Sequence, residues 1–316
     1  MKKIRDKTIV IMGPTASGKS DLAVALARKY NGEIISADSR QVYRGMDIGT
    51  GKVPRDFPAN SKIQMANDKF RKYYFSEGVR HHLLDVASPK RNYNVTHFVR
   101  DAKKAIAGIK KQGKVPIICG GTGFWIQALL EDSPFPAVKP NPELRKKLGR
   151  LSTKELFQQL THKDPARAET IDARNKIRLI RALEIIETLG SVPPLQHSTF
   201  NIQHSYIIIA LSPSQETLWN HIETRLEKRL RKGMLAEVRR LRTESLSWKK
   251  LESFGLEYKY VALFLQKKIS RKTMNEQLNF AIRHYAKRQL TWLRRFEKAH
   301  PLHWITTTKE ATKFIT

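Results

Sequence analysis

Hydrophobic and polar positions follow two regimes along this chain. Short, nearly unbroken apolar runs occur at Thr8-Ile9-Val10-Ile11-Met12, Glu33-Ile34-Ile35-Ser36, His82-Leu83-Leu84-Asp85-Val86, Val115-Pro116-Ile117-Ile118-Cys119 and Ser205-Tyr206-Ile207-Ile208-Ile209-Ala210-Leu211. Runs of this length, rich in β-branched residues and lacking polar alternation, predict strands buried on both faces of a parallel sheet. Between the first two, Leu22, Ala23, Ala25, Leu26 and Ala27 recur at helical spacing from Asp21 to Tyr30, and Gly32 stands where a helix stop belongs. His303-Trp304-Ile305-Thr306 predicts a returning edge strand.

The second regime is helical. From Pro134 to Pro194 no strand-like run occurs, only amphipathic stretches bracketed by Ser133-Pro134-Phe135-Pro136, Pro140 and Pro142 on one side and Val192-Pro193-Pro194 on the other. Gln215 to Phe296 also reads as helix and is strongly basic. Over its last part, Leu278, Ile282, Tyr285, Trp292 and Phe296 share one face with Gln289, while Arg283, Lys287 and Arg294 fall roughly opposite. The organisation this predicts is a sheet core over residues 1–136 and 203–316, interrupted by a helical insertion over 137–202.

Composition narrows the partner. Lys and Arg number 59 against 29 Asp and Glu, a net charge of +30 on 316 residues. Such a surplus suits a polyanion, because every phosphate neutralised releases counterions. A chain merely adapted for solubility is the blander account of the same excess. Cys119 is the single cysteine, which excludes an internal disulfide and a cysteine-rich zinc site. The first seven residues are charged and lead into no signal-like apolar segment, and no run is long enough to span a membrane, so a cytoplasmic protein is expected.

Gly13-Pro14-Thr15-Ala16-Ser17-Gly18-Lys19-Ser20 matches the P-loop pattern in full, with a strand before it and a helix after it. Glycines let the turn aim successive amides at an anion, and the helix adds its positive dipole end. Lys19 would meet the outer phosphate, and the Ser20 hydroxyl is placed for Mg²⁺. The expected fold class is therefore α/β: a P-loop parallel sheet core flanked by helices, with a helical insertion domain. The motif implies a diphosphate or triphosphate and leaves open whether that group belongs to a nucleotide. Asp38 lies just past the second strand, at the sheet edge where the P-loop also sits. On spacing alone it serves equally as an Asx-turn residue or as a base beside the bound phosphate.

These residues resemble those of a known family, the tRNA dimethylallyltransferases or tRNA isopentenyltransferases, in their bacterial form. The P-loop spelling, Asp38-Ser39-Arg40-Gln41-Val42-Tyr43-Arg44-Gly45-Met46-Asp47-Ile48-Gly49-Thr50, His81-His82-Leu83-Leu84-Asp85, Gly120-Gly121-Thr122-Gly123, Arg178-Leu179-Ile180-Arg181-Ala182-Leu183-Glu184 and Tyr285-Ala286-Lys287-Arg288-Gln289-Leu290-Thr291-Trp292 occur in the family's order over nearly the whole chain. The resemblance implies that Asp38 is the general base for an adenine amine and that Thr122 lines the reaction channel. It implies that Arg225 holds the diphosphate of dimethylallyl diphosphate from outside the P-loop, with Mg²⁺ as cofactor. It also implies that Asp38, Ser39, Arg40, Gln41, Thr122, Arg145, Ile177, Arg178, Leu179, Ile180, Arg181, Arg283, Lys287, Arg288 and Gln289 face the tRNA anticodon stem-loop, with the insertion clamping it, and that the enzyme is a monomer.

The chain departs from the family's pattern at His221, where an Arg is frequent, at Leu256, where a Tyr follows the glycine, and at Ile282, where a Thr precedes the arginine. Independently of the family, Arg174, Arg178 and Arg181 recur at a spacing that would follow a phosphate backbone. The adjacent His81 and His82 would point to opposite faces of a strand and share no metal. Cys119 reads as a buried small residue. Two rivals use the same cradle: a small-molecule kinase, against which the basic helical tail argues, and an RNA-remodelling NTPase, for which no clear Walker B element is found.

Overall fold

The computed structural model describes residues 4, 6–56, 73–132, 135–193 and 206–315. Met1 to Lys3, the border residues Ser133, Pro134 and Pro194, and Ser205 at the start of an expected strand lie outside the described residues. The chain divides into two compact units, Met1–Glu131 with Phe200–Thr316 and Asp132–Thr199.

The first unit is built on a seven-stranded sheet. Its strands are β1 (Thr8–Met12), β2 (Gly32–Ser36), β3 (Tyr74–Ser76), β4 (Val79–His82), β5 (Val115–Gly120), β6 (Tyr206–Leu211) and β7 (His303–Ile305), in the spatial order β3-β4-β2-β5-β1-β6-β7. All pairings are parallel except β3 with β4. The period-2 geometry of a strand divides β1 between two cores. Ile9 and Ile11 face α1 (Lys19–Tyr30) with its Leu22, Ala23 and Leu26, whereas Val10 and Met12 face the larger core on the other side. That larger core is covered by α2 (Val95–Lys111), α3 (Gly123–Leu130) and the C-terminal helices α8 (Gln215–Arg231), α9 (Met234–Thr243), α10 (Trp248–Ser253), α11 (Leu256–Leu265) and α12 (Arg271–Glu297). Burial on both faces explains why the strands read as continuous apolar runs. No helix among the described residues is long and apolar enough to cross a membrane.

One expected strand is misplaced. The run at 82–86 is not extended: β4 ends at His82, and Leu83 (φ 64°) and Asp85 (φ 57°) take left-handed backbone. A strand cannot pass through such residues. Leu83 and Leu84 are buried in a loop, which gives the run its strand-like composition. The true strand lies one segment earlier, in an antiparallel pair with β3 whose Arg80, His81 and His82 hide it from a hydrophobicity pattern. The two histidines do face apart. His81 is buried, and His82 Nε2 meets Glu33 at 2.6 Å. Glu33 also accepts from Lys114 Nζ at 2.6 Å. Burial alone would raise the pKa of Glu33, but the bonds and charges of His82 and Lys114 outweigh it and bring it to about 2.

The second unit, seen by itself, is a small helical body: α4 (Pro142–Leu148), α5 (Thr153–Lys163), α6 (Pro165–Thr170) and α7 (Lys176–Leu189). Leu179, Ala182, Leu183 and Ile186 of α7 follow the i, i+3, i+4, i+7 rule and close on Leu148, Leu156, Leu160 and Ala168. Asn175 caps α7, accepting from the Arg178 amide. Arg174 therefore precedes the helix, and the expected arginine row along one helix face is broken.

Candidate active site

The P-loop links β1 to α1. Ala16 (φ 64°) and Gly18 (φ 84°) both take left-handed backbone, a conformation that is inexpensive only for the glycine. Ala16 is held there by its surroundings: its carbonyl lies 3.2 Å from His221 Nδ1, and the preceding Thr15 is fixed twice from distant helices. The Thr15 amide donates to Gln289 Oε1 at 2.8 Å, and Arg225 Nη2 donates to Thr15 Oγ1 at 2.8 Å. Gln289 is buried in the same helix face as Leu278 and Phe296, and its Nε2 donates to the Gly121 carbonyl at 2.8 Å. It thereby joins the P-loop to the turn after β5. That turn must be glycine at 120, because a Cβ there would lie 2.2 Å from the Ala37 carbonyl oxygen.

A cavity of about 600 Å³ opens beside this cradle. Thr15, Lys19 and Ser20 line one part of it, Asp38 to Gln41 another, and Arg225 reaches in from α8. Lys19 Nζ donates to the Pro14 carbonyl at 2.9 Å. No ion pair to Lys19 or Arg225 occurs among the described residues, so two half-buried cations face the cavity without a carboxylate in contact. Burial, with the neighbouring Arg225 charge behind it, lowers the Lys19 pKa against the pull of Asp38. Burial, then the Arg229 charge, brings Arg225 down to about 10. Both groups stand where an arriving anion would be stabilised most.

Asp38 performs the Asx turn, its Oδ1 accepting from the Arg40 amide at 2.8 Å and the Gln41 amide at 3.3 Å. The two readings of this residue are compatible, since Oδ2 accepts nothing from the described residues and the carboxylate lines the cavity. Thr122 lies next to it without reaching the cavity: its Oγ1 accepts from the Ser39 amide at 3.0 Å, and Gly120 and Gly121 form the wall instead. Gln41 lines the cavity, with its Nε2 donating to the carbonyls of Thr50 and Gly51. Cys119, at the cavity floor, is buried and its thiol is pushed up to about 12 by that burial, so it stays protonated.

The residues expected to face RNA separate into two groups. Arg288, at the cavity, has its guanidinium 5.9 Å over the Tyr285 ring, and Arg283 and Lys287 lie over Trp219. In the insertion, Ile177 is 80% exposed and Arg178 is exposed, while Leu179 is wholly buried in the insertion core and cannot present its side chain to a ligand. Ile180 is half-buried. Arg145 and Arg181 are engaged with buried Glu184, Arg145 by two bonds of 2.8 and 2.7 Å.

Sequence reasoning missed the device that holds the Gly45–Gly51 loop against the cavity. Glu237 of α9 is buried and accepts from three successive amides, those of Asp47, Ile48 and Gly49, at 2.8, 2.7 and 3.0 Å. Tyr258 donates to the same carboxylate at 2.7 Å, and a buried Arg229–Glu257 pair at 2.6 Å stands beside it. The available signal was a carboxylate three positions after Met234 on an apolar helical stripe, where a charge requires a partner.

Comparison with known proteins establishes the family and the fold. The family model described as IPP transferase matches residues 41–296. The tRNA dimethylallyltransferase 1 of Geotalea uraniireducens is 38% identical over 298 residues, covering 94% of this chain and 91% of that protein. The crystal structure of the full-length tRNA isopentenylpyrophosphate transferase from Bacillus halodurans aligns with TM-score 0.65 at 29% identity, over 98% of this chain and 94% of that one. A eukaryotic dimethylallyltransferase described as acting on tRNA shares the fold, with TM-score 0.75 at 24% identity over 98% of this chain and 76% of that one.

Proposed function

The chain belongs to the IPP transferase family of tRNA dimethylallyltransferases, and on that premise we propose that it transfers the dimethylallyl group of dimethylallyl diphosphate to N6 of the adenosine 3′-adjacent to the tRNA anticodon, releasing diphosphate. The observation that carries this reading is one cavity lined by Asp38, a carboxylate with one oxygen uncommitted among the described residues, and by two cations without carboxylate partners there, Lys19 and Arg225.

The chemistry follows from those groups. The P-loop amides with Lys19 and Arg225 hold the diphosphate, so they act on the oxygen where negative charge develops as the carbon–oxygen bond breaks. Asp38 takes the proton of the adenine amine while the new carbon–nitrogen bond forms, and the electron pair of the broken bond leaves with the diphosphate. Its Asx-turn bonds fix the carboxylate, which spares it reorientation when the base arrives. The adenine must leave its stack to enter, an extrusion that costs less in a loop than in a duplex. The Ser20 hydroxyl supplies a hard oxygen donor in the cradle, which fits Mg²⁺, an ion held through one or two protein oxygens together with substrate phosphate. When bound, Mg²⁺ neutralises diphosphate charge. Arg40, Lys287, Arg288 and, in the insertion, Ile177 and Arg178 are the residues left for tRNA, with Arg283 joining them from its pair with Glu223 at 3.3 Å. This reading includes a monomer working in the cytoplasm.

Transfer of label from dimethylallyl diphosphate to an anticodon stem-loop, with Mg²⁺ present, tests the reading. Incorporation is expected for the native protein and is lost in Asp38→Ala. Full turnover by that variant removes the base assignment, and absent incorporation with RNA-independent ATP turnover replaces the reading with a kinase.

A further inference from the structure

Helix α12 buries Met274, Leu278, Ile282, Ala286, Gln289, Leu293 and Phe296 along one face. A neighbouring line of the same helix carries Phe280, His284 and Arg288 at four-residue intervals, and all three line the cavity. Phe280 is 65% exposed. An isolated exposed apolar side chain requires no explanation. Phe280 is not isolated in that sense: its ring lies 4.4 Å from that of His284, tilted by 46°, on the wall of a cavity whose other end is the P-loop.

The helix also provides a ruler. Gln289 is bonded to the P-loop at Thr15, and Phe280 lies nine positions earlier, roughly 13 Å away along the axis. A five-carbon chain attached to a diphosphate in the cradle has its reacting carbon one bond from the phosphate oxygen, far short of that distance. Phe280 is therefore positioned for something other than the reacting carbon. Between the two lies Arg288, a guanidinium suited to a backbone phosphate, with Lys287 one residue before it. Aromatic faces beside a cationic track are the combination that holds unpaired nucleotides, the base on the ring and the phosphate on the cation.

We propose that Phe280, backed by His284, is a stacking platform for a nucleobase adjacent to the adenosine that enters the cavity, with Arg288 holding the intervening phosphate. The proposal rests on the tRNA reading given above and adds a specificity-determining contact to it: the anticodon loop is read at a neighbour of the modified base by an aromatic face.

The test uses the full chain and an anticodon stem-loop carrying 2-aminopurine on either side of the target adenosine. Native protein is expected to quench one of the two labels by stacking. Phe280→Ala should restore its fluorescence, weaken stem-loop binding about ten-fold and leave the KM for dimethylallyl diphosphate where it was. Phe280→Trp should recover both quenching and affinity, which a fold defect would not. Native quenching and affinity in Phe280→Ala would overturn the platform while leaving the tRNA reading intact. A raised KM for the prenyl donor with RNA binding unchanged would assign Phe280 to the donor site and overturn it likewise. Failure of the native protein to bind the stem-loop at all would overturn the tRNA reading, and this proposal with it.

Discussion

Two regions of this molecule treat positive charge in opposite ways. In the insertion, Arg145 and Arg181 converge on Glu184, whose side chain is 1% exposed, and the Asn141 amide completes the carboxylate's shell at 2.6 Å. Burial would raise the Glu184 pKa, yet those partners together hold it at about 2. In the cavity, Lys19 and Arg225 meet, among the described residues, a carbonyl and a hydroxyl. A cation paired with a buried carboxylate is part of the fold, because removing either partner leaves the other uncompensated. One that is buried against neutral dipoles costs stability until an anion arrives. The partner's charge, more than the arginine or lysine itself, separates scaffold from site.

The largest effect expected from this contrast is at Lys19. Lys19→Met should lower turnover by roughly 10²–10³-fold, as expected for loss of a group aimed at developing charge, without lowering the urea midpoint of the unliganded protein. A clear fall in that midpoint would make Lys19 a structural cation and erase the distinction. Next is Glu184→Gln, which leaves two arginines facing a neutral amide. We expect the insertion to lose about 2 kcal/mol, below the range for fully buried pairs because both arginines are partly exposed. Stem-loop prenylation at low temperature should persist, and urea titrations followed alongside turnover separate the two readouts.

Acid should produce the most gradual change. His81 is held at about 4 by burial and then by the charge of His82, against 6.5 in the open chain. The unfolded state takes up this proton first, so stability is complete above 6.5 and declines as pH falls towards 4. Glu33 and Glu184, both near 2 against 4.5, extend the decline from 4.5 towards 2. Urea midpoints at pH 7, 5 and 3 should fall in that order, and Glu184→Gln should flatten the lower arm. A midpoint independent of pH over this range would show that neither carboxylate is held as its contacts imply.

What the sequence disclosed and what it concealed divide along range. The P-loop was legible because its function resides in eight consecutive residues and in the elements on either side. β1, β5 and β6 were legible because both of their faces are covered. The Leu83–Leu84 run misled because burial in a loop leaves the same composition as burial in a strand, while the left-handed turns at Leu83 and Asp85 leave no compositional trace. The resemblance assigned Arg145 and Arg181 to tRNA. The i,i+3 spacing of Arg181 to Glu184 was there to be read, whereas the partner of Arg145, the same Glu184, lies 39 positions away and leaves no local trace. Gln289 was assigned to RNA for the same reason, since its two bonds run to Thr15 and Gly121, distant in sequence. Glu237 holding the Asp47–Gly49 amides belongs to this class too.

The bond from the Thr15 amide to Gln289 spans 274 positions. During synthesis the P-loop emerges from the ribosome 274 positions before the side chain that fixes its turn. A nascent chain therefore carries the phosphate motif through that whole interval without the restraint that shapes it. Truncated products keep the signature and lack the constraint, so the molecule becomes competent only once its last long helix has docked.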